Sequence, residues 1–468
     1  MHRYLLFLLI GIALGMGGCT LAPKYTRPAA PVPVDWPKGT AYQETGALTG
    51  APTASELKWQ EFFTDEKLQK IITMALKNNR DLRLAALNVE RARALYGIQR
   101  AELLPSVNAT GSMSKQRVPA DLSTTGKATV VEQYGVNLGI ISWEIDFFGR
   151  IRSLKDRALE EFLATEQAGR SARILLVSAI ANAYLALAAD RENLKLTEST
   201  LENQRAAYHL IRRRHDVGLA SELDLRRAQS QVDIARVDAA RYTQLVAQDE
   251  NALDLLVGSP APGELLPTEL GSVIPPREIS PGISSEVLLR RPDILAAEHR
   301  LKAANANIGA ARAAFFPRIA LTTAIGTASA DLSGLFKSGS DTWSFAPQIV
   351  LPIFDARMWS AYDATKIEQE IAVAQYEKAI QTAFREVADA LAVRGTVDRQ
   401  LSAQQSLVNA VAETYRLSNV RYTKGIDGYL GVLDAQRSLY AVQQGLTVLR
   451  LARLSNLVTL YKVLGGGG

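Results

Sequence analysis

Asn79-Arg80-Asp81-Leu82 and Arg291-Pro292-Asp293-Ile294 are two versions of one phrase, 212 residues apart. Leu104-Pro105-Ser106-Val107 and Phe316-Pro317-Arg318-Ile319 repeat at the same offset. Farther along, Gly218 answers Gly425 and Ala228-Gln229 answers Ala435-Gln436, now 207 apart. The heptad-spaced set Leu194, Leu201, Tyr208, His215 returns as Leu401, Val408, Tyr415, Tyr422 at that second offset. Self-similarity at a fixed offset means one structural unit used twice, here about 200 residues long. The difference between the offsets arises between Pro105/Pro317 and the pairs Phe147-Phe148 and Ile353-Phe354, which predicts an exposed loop there.

Each copy carries the same order of elements. A helix comes first, Asp65 to Leu104 and Ser284 to Phe316, supported by the apolar spacing Leu68, Ile71, Ile72, Ala75, Leu76. Pro105 and Pro317 stop it. Two alternating segments follow in each copy, about 105–118 and 133–148, then about 317–330 and 341–354. Tyr134, Val136, Leu138 and Ile140 share one face, and Gly135, Asn137 and Gly139 the other. Ile319, Leu321, Thr323 and Ile325 alternate with Ala320, Thr322, Ala324 and Gly326 in the same way. Turn-rich stretches, Pro119 to Gly126 and Asp331 to Ser340, read as hairpin connections. Pro352 suits a strand exit, whereas Pro347 is awkward inside a strand.

Next come proline-free runs over 151–215 and 356–423, each a helix of roughly 100 Å at 1.5 Å per residue. Helices of that length belong to coiled coils or extended helical assemblies. Gly218 and Gly425 end them as C′ glycines do. Final helices follow over 221–256 and 428–464, with Ser221 and Asp224 as a capping box and Asp427 as an N-cap. The expected organisation is a signal peptide over 1–18, a tether over 19–62, repeat 1 over 63–257, a linker over 258–283 and repeat 2 over 284–468.

The leader is short. His2-Arg3 precedes the apolar run Tyr4 to Ala13, which has signal-peptide length. Small residues then lead to Cys19, the single cysteine of the chain. This resembles the lipobox of bacterial lipoproteins, which makes Cys19 the acylated N-terminus. Thr20 after it, rather than an acidic residue, favours the outer membrane in the lipoproteins it resembles. One acyl chain anchors weakly, so a second membrane contact is required. Six prolines between positions 22 and 55 read as an extended tether on the surface of something larger.

Composition excludes several function classes. The 468 residues are 47% hydrophobic, which rules out general disorder. Lys+Arg number 53 against 48 Asp+Glu, and the interspersed charges speak against a nucleic-acid binder. Four His and one Cys leave no zinc framework or disulfide scaffold. No nucleophile–base set, phosphate loop or metal spacing appears, so no catalytic residue, metal ligand or cofactor is expected. Mean hydropathy is −0.01.

Four alternating strands cannot close a barrel, since about eight is the smallest useful number. Exposed edges invite aggregation, and unpaired backbone groups in lipid cost several kcal/mol each. Closure therefore needs further copies: eight strands from a dimer, twelve from a trimer, sixteen from a tetramer. Strands of about ten residues suit an outer membrane. The long helices are too polar for the bilayer and read as an antiparallel helical tube in water. The fold class expected is α+β.

Several stretches together resemble the TolC family of outer-membrane efflux conduits, most closely its lipoprotein branch (OprM-like or NodT-type). They are Arg291-Pro292-Asp293-Ile294 with Glu298, Leu301, Ala304, Ile308-Gly309 and Phe316-Pro317; Trp143 to Arg150 (WEIDFFGR); and Arg421-Tyr422-Thr423-Lys424-Gly425 running into Tyr429 to Gln436 (YLGVLDAQ). The resemblance implies a homotrimer whose four strands per chain close a twelve-stranded barrel, continued by a periplasmic helical barrel. It also implies a periplasmic adaptor and an inner-membrane pump, usually of the RND class, as partners, with drugs or other small solutes as cargo. Export of proteins in a type I system, or a non-pore helical lipoprotein or adaptor, are the alternatives.

The turns at Gly218 and Gly425 lie farthest from the strands and form the expected periplasmic mouth. Asp427 and Asp434, seven apart, fall on nearly one helix face, and Asp224 holds the corresponding place in copy one. In the family, the aspartate matching Asp434 belongs to the constricted entrance, Leu430 and Tyr422 match residues near the gate, and Asp224 matches an acid of the closing network. Asp427 stands where the archetype has arginine, and Gly431 where it has a second acid. Three copies of Asp434, with Asp427, would make a cation-attracting ring whose crowded charges raise some pKa values. Arg212, Arg213, Arg214, Arg421 and Lys424 are the cations available to hold the mouth shut.

Overall fold

The computed structural model describes residues 20–42, 52–54, 57–280 and 284–466. The expected signal peptide and Cys19 lie outside the described residues. The helices of more than one turn, with the strands between them, run α1 Glu66–Asn78, α2 Arg80–Ala101, β1 Val107–Val118, β2 Thr129–Glu144, α3 Arg150–Asp216, α4 Glu222–Val257, α5 Pro292–Ala313, β3 Arg318–Ser329, β4 Asp341–Val350, α6 Ala356–Thr423 and α7 Tyr429–Val463. The order helix, strand, strand, long helix, helix occurs twice. The chain divides into two compact units, Met1–Ala29 with Asn88–Glu166 and Ala296–Tyr376, and Ala30–Leu87 with Gln167–Leu295 and Glu377–Gly468.

The first unit holds the sheet. Its four strands are antiparallel in the order β1-β2-β3-β4, so β1 and β4 are both unpaired edges among the described residues. Directly opposed residues point to the same side. The register aligns Ala109, Leu138, Ile325 and Trp343 across all four strands, and likewise Val107, Ile140, Thr323 and Phe345. Leu138, Ile325, Trp343 and Phe345 on this face are 50–79% exposed. The register slips between Ile140 and Trp143 by one residue, a bulge that keeps Trp143 opposite Leu321 on the apolar face. The opposite face aligns Asn108 with Gly139, Ala324 and Ser344, and Thr110 with Asn137, Gly326 and Thr342. Its alternate positions from Asn108 to Gln116, Gln133 to Gly139, Ala320 to Ala328 and Thr342 to Val350 carry no charged residue.

Glycine sets how close β2 and β3 come on that polar face. A Cβ at Gly326 would overlap the Val136 carbonyl oxygen and stand 2.8 Å from Asn137 Cα. A Cβ at Gly139 would overlap the Thr323 carbonyl and stand 2.6 Å from Ala324 Cα. Close approach confined to one face curls a sheet toward that face. Pro347 pairs with Leu321 inside β4, where an edge strand tolerates it.

In the second unit, Phe62, Phe63 and Tyr461 are almost wholly buried, with Phe62 stacked on Tyr461 at 4.1 Å. One stretch of α3 is apolar enough to cross a bilayer, contrary to the expectation that the long helices are too polar for it. That stretch is 61% buried, and Ile180, Tyr184, Leu185 and Leu187 within α3 are core residues. It is apolar because it is internal. By contrast α2, which runs through both units, has no buried residue, and its Leu84, Leu87, Leu95 and Ile98 stand 51–65% exposed.

The repeated phrase does the same work twice. Asn79 ends α1 and caps α2, accepting from Leu82 N at 2.8 Å, while its Nδ2 donates to Leu256 O at 2.8 Å. Arg291 precedes α5, and its Nη1 donates to Val463 O at 2.6 Å. Each residue thus ties the start of one helix to the last carbonyls of another, which have no intrahelical partner. Gly258 and Gly465, just past those helix ends, have φ of 77° and 76°.

Several expected boundaries move. The helix expected over Asp65 to Leu104 is two, because Asn79 adopts ψ 131° and its side chain restarts the helix. The one expected from Ser284 begins as a 3-10 turn, Ser285–Arg290, because a residue before proline is pushed to extended backbone, and Arg291 has ψ 137°. Pro292 then starts α5, where its missing N–H costs nothing. β2 begins earlier and ends earlier than 133–148. Its first residues, Thr129-Val130-Val131, carry no alternation to read. The tether is not featureless: it includes a 3-10 turn, Thr40–Tyr42, and a helical turn, Trp59–Phe62.

Candidate functional site

Both long helices end in the same turn. Leu219 N donates to Arg214 O at 2.7 Å and Gly218 N to His215 O at 2.8 Å. Ile426 N donates to Arg421 O and Gly425 N to Tyr422 O, both at 3.0 Å. These paired bonds are Schellman motifs, and each needs a left-handed residue: Gly218 has φ 75° and Gly425 φ 71°. Open space surrounds both positions, so an added methyl meets no neighbour and the cost is backbone strain alone. Gly425→Ala is expected to weaken the turn by about 1–2 kcal/mol. Amide exchange at Gly425 and Ile426 should quicken on the order of tenfold, while exchange in the middle of α6 stays as it was.

Under the turns lies a small core that the sequence expectations do not include. Ile211, Ala228, Tyr429, Val432 and Leu433 are buried together, with Tyr208, Leu225, Tyr415 and Tyr422 packed against them. Tyr429, Val432, Leu433 and Gln436 repeat at helical spacing, which is the signal that could have found it. Tyr422 and Tyr429 meet at 5.0 Å between ring centroids. Burial first, then the neighbouring Tyr415 and Tyr422, pushes the Tyr429 phenol up to about 12.

Each expected gate residue has a definite place. Asp224 sits in the capping box: its N–H donates to Ser221 Oγ at 3.1 Å, and Ser221 Oγ donates back to Asp224 Oδ2 at 2.7 Å. Tyr422 accepts from Arg214 Nη1 at 2.9 Å, with the guanidinium carbon 5.3 Å from the ring centroid. Asp427 is not the N-cap expected of it. Gly428 occupies that position without a side-chain bond, and Asp427 instead accepts from Arg421 Nε at 2.5 Å and Nη2 at 3.1 Å. That hydrogen bonding holds the Asp427 carboxyl below its ordinary value. Asp434 accepts from Arg437 at 3.2 Å along its own helix, and Leu430 is 46% exposed.

Of the cations expected to lock the turns, Arg214 and Arg421 have these partners. The side chains of Arg212, Arg213 and Lys424 make no hydrogen bond or ion pair among the described residues. His215 is not among the expected cations, yet its Nε2 lies 3.2 Å from Glu222 Oε2 and bridges α3 to α4. Two braces therefore hold the turns, Arg214 with Tyr422 and Arg421 with Asp427, while Asp434 and Leu430 remain outward. Asp427 and Asp434 pair with arginines, whereas Asp224 bonds Ser221. Among the described residues no group of three or more His, Cys, Asp or Glu is placed to hold a metal ion.

Residues 71–259 and 283–466 each match the family described as outer membrane efflux protein. The chain is 51% identical over 454 residues to the toluene efflux pump outer membrane protein TtgC of a Pseudomonas putida strain, covering 97% of this chain and 93% of that protein. A membrane protein from Pseudomonas aeruginosa, solved by crystallography, superposes with a TM-score of 0.89 at 43% identity, covering 96% of this chain and 100% of the other. The open state of the MtrE outer membrane channel of Neisseria gonorrhoeae superposes with a TM-score of 0.86 at 38% identity, covering 96% and 98%.

Proposed function

The chain belongs to the outer membrane efflux protein family, and we propose that three copies of it close one duct through the outer membrane. It is a conduit rather than an enzyme. The observation that carries the closure is the two-faced sheet: four strands, two open edges, one exposed apolar face and one polar face whose charges, Glu144 and Arg318, sit only at its end. Lipid tolerates no open edge, so β1 of one copy pairs with β4 of the next, giving twelve strands. The glycine-lined polar face is the concave one and lines the water-filled lumen. The exposed leucines of α2 are covered in the same assembly by a neighbouring copy. Native mass measurement of the detergent-extracted protein, and its mobility without heating, test this: a species of three chain masses is expected, and a monomer overturns it.

Residues 1–18 are a removed signal peptide and Cys19 carries the lipid. The repeats 63–257 and 284–468 supply equivalent halves of each chain's share of barrel wall and helical tube. A periplasmic adaptor docks at the glycine turns and links the duct to an inner-membrane pump of the RND class. The cargo is drugs or other small solutes; the toluene efflux relative supports apolar solutes among them.

The turns around Gly218 and Gly425 form the gated entrance, with Asp224, Tyr422, Asp427, Leu430 and Asp434 about it. The braces at Tyr422 and Asp427 favour the closed form, and partner docking shifts the population toward an open one. Three Asp434 carboxylates around one axis lie well within a Debye length of about 8 Å of a passing ion. Asp434→Ala is expected to lower the cation-to-anion permeability ratio several-fold in planar-bilayer recordings. An unchanged ratio would remove Asp434 from the entrance.

A further inference from the structure

Residues 20–27 fill a built groove in the first unit. At its centre is Glu298 on α5, with 4% of its side chain exposed. Arg27 Nε donates to Glu298 Oε1 at 3.0 Å and Arg27 Nη2 to Oε2 at 2.7 Å. Tyr25 OH donates to Oε1 at 3.2 Å. Lys302 Nζ lies 3.3 Å from the same oxygen and 5.3 Å from the Tyr25 ring centroid. A carboxylate buried to this degree must be paired, and two of its three partners come from the N-terminal segment.

The backbone of the segment is held as well. Asn305 Nδ2 donates to Pro23 O at 2.8 Å and Arg312 Nη1 to Leu21 O at 3.2 Å. Gly309, inside α5, makes room for Ala22: a Cβ there would stand 2.8 Å from Ala22 N and 2.6 Å from Ser153 Oγ. Glycine is a poor residue for a helix interior, so the space it leaves needs a reason, and Ala22 occupies it. Thr20 Oγ1 ends 3.3 Å from Ser153 Oγ, in the first turn of α3, which follows β2 closely.

We propose that Glu298 is the receptor for a docked N-terminal strap, Thr20 to Arg27, and is thereby a positioning residue for the lipid anchor. The clamp fixes Thr20 beside the start of α3, at the end of the sheet, so acyl chains on the residue before it enter the bilayer at the lower rim of the apolar band. An undocked segment of this length would let its end wander about 15 Å. The lipid itself rests on the reading of Cys19 given above; the docking does not.

The test uses the full chain extracted from the outer membrane in detergent, where trypsin reaches both faces. The Lys24–Tyr25 bond is the trypsin site inside the strap, since proline protects the bond after Arg27. Cleavage there should be at least about tenfold faster in Arg27→Gln and Glu298→Gln, because proteolysis follows the population of the opened form. Arg27→Lys should recover part of the protection. Gly309→Ala should also be fast, although alanine favours the helix, which separates strap release from general unfolding. Cleavage elsewhere and unheated mobility should not change. For position, the pair Thr20→Cys with Ser153→Cys should oxidise readily to a disulfide, and several-fold less when Glu298→Gln is added. Wild-type cleavage rates in all of Arg27→Gln, Glu298→Gln and Gly309→Ala, or no disulfide with Glu298 intact, overturn the proposal. The mass of the peptide from residue 19 to Lys24 reports the lipid separately: without acyl mass the anchor reading fails, and the docking stands on the cleavage rates.

Discussion

Gly326→Val is expected to leave no assembled protein in the outer membrane. Valine is the better strand residue by propensity, so the substitution improves everything except space. Its Cβ would overlap the carbonyl oxygen of Val136 and stand 2.6 Å from Asn137 Oδ1 and 2.8 Å from Asn137 Cα. Two of those three atoms are backbone of the neighbouring strand, held in the ladder by its own pairing with β1. They cannot swing aside as a side chain would. Overpacking a core commonly costs about 1–3 kcal/mol, and with a backbone neighbour the cost is about 3 kcal/mol or more. It recurs in every copy of a closed barrel. Gly139→Val fails for the same reason against Thr323 and Ala324. The control is Gly111→Val, on the apolar face, where nothing lies within 4 Å. Unheated gel mobility and yield in the outer-membrane fraction read the outcome. Gly326→Val assembling as well as Gly111→Val would mean that the polar face is not the tightly curved one.

That test touches what the sequence made legible and what it did not. Alternation in Tyr134 to Ile140 and Ile319 to Ile325 reveals strands because the side-chain period is local. The same pattern cannot say that Gly326 faces Asn137, since pairing register joins residues far apart in the chain. The bulge before Trp143 is hidden likewise: one extra residue changes nothing in composition. The turns at Gly218 and Gly425 were legible because a left-handed C′ position nearly demands glycine. Asp427 misled because an acid two residues before a helix is a plausible cap whenever its competing partner, here Arg421, cannot be seen. The strap misled more deeply. Prolines remove helix and ladder from residues 22–42, yet Glu298 and Gly309, more than 270 residues away, supply a seat that proline content does not advertise. Burial, then Asp190, pushes the Asp249 carboxyl up to about 6, another pairing between helices that no local pattern records.

The repeated phrase itself supplies the second large effect, because its two copies solve one problem by different chemistry. Asn79 ties α2 to the end of α4 through a single neutral amide bond to Leu256 O. Arg291 ties α5 to the end of α7 through Val463 O while also holding Asp293 at 3.0 and 2.7 Å and Glu386 at 3.0 Å. Only 9% of its side chain is exposed. Burial works against its charge, but the hydrogen bonds to Asp293 and Glu386 outweigh that and raise its pKa. Arg291→Met keeps most of the apolar stem and removes the fork. Asp293 and Glu386 then lose their shared cation, and Val463 O loses its donor at a helix end already rich in unpaired carbonyls. Breaking a buried pair by removing one partner costs about 3–5 kcal/mol, and the partial exposure of both acids places this site near the lower figure. Arg291→Lys should recover only part of it, since one ammonium cannot span Asp293, Glu386 and Val463 O at once. Asn79→Ala should cost less, about 1–2 kcal/mol, as the loss of one cap and one neutral bond. Denaturant midpoints of the solubilised protein, with amide exchange in the last turn of α7, give the ranking. If Asn79→Ala proved as damaging as Arg291→Met, the charge at Arg291 would contribute nothing beyond the bond to Val463 O, and the two copies would be equivalent in energy as well as in place.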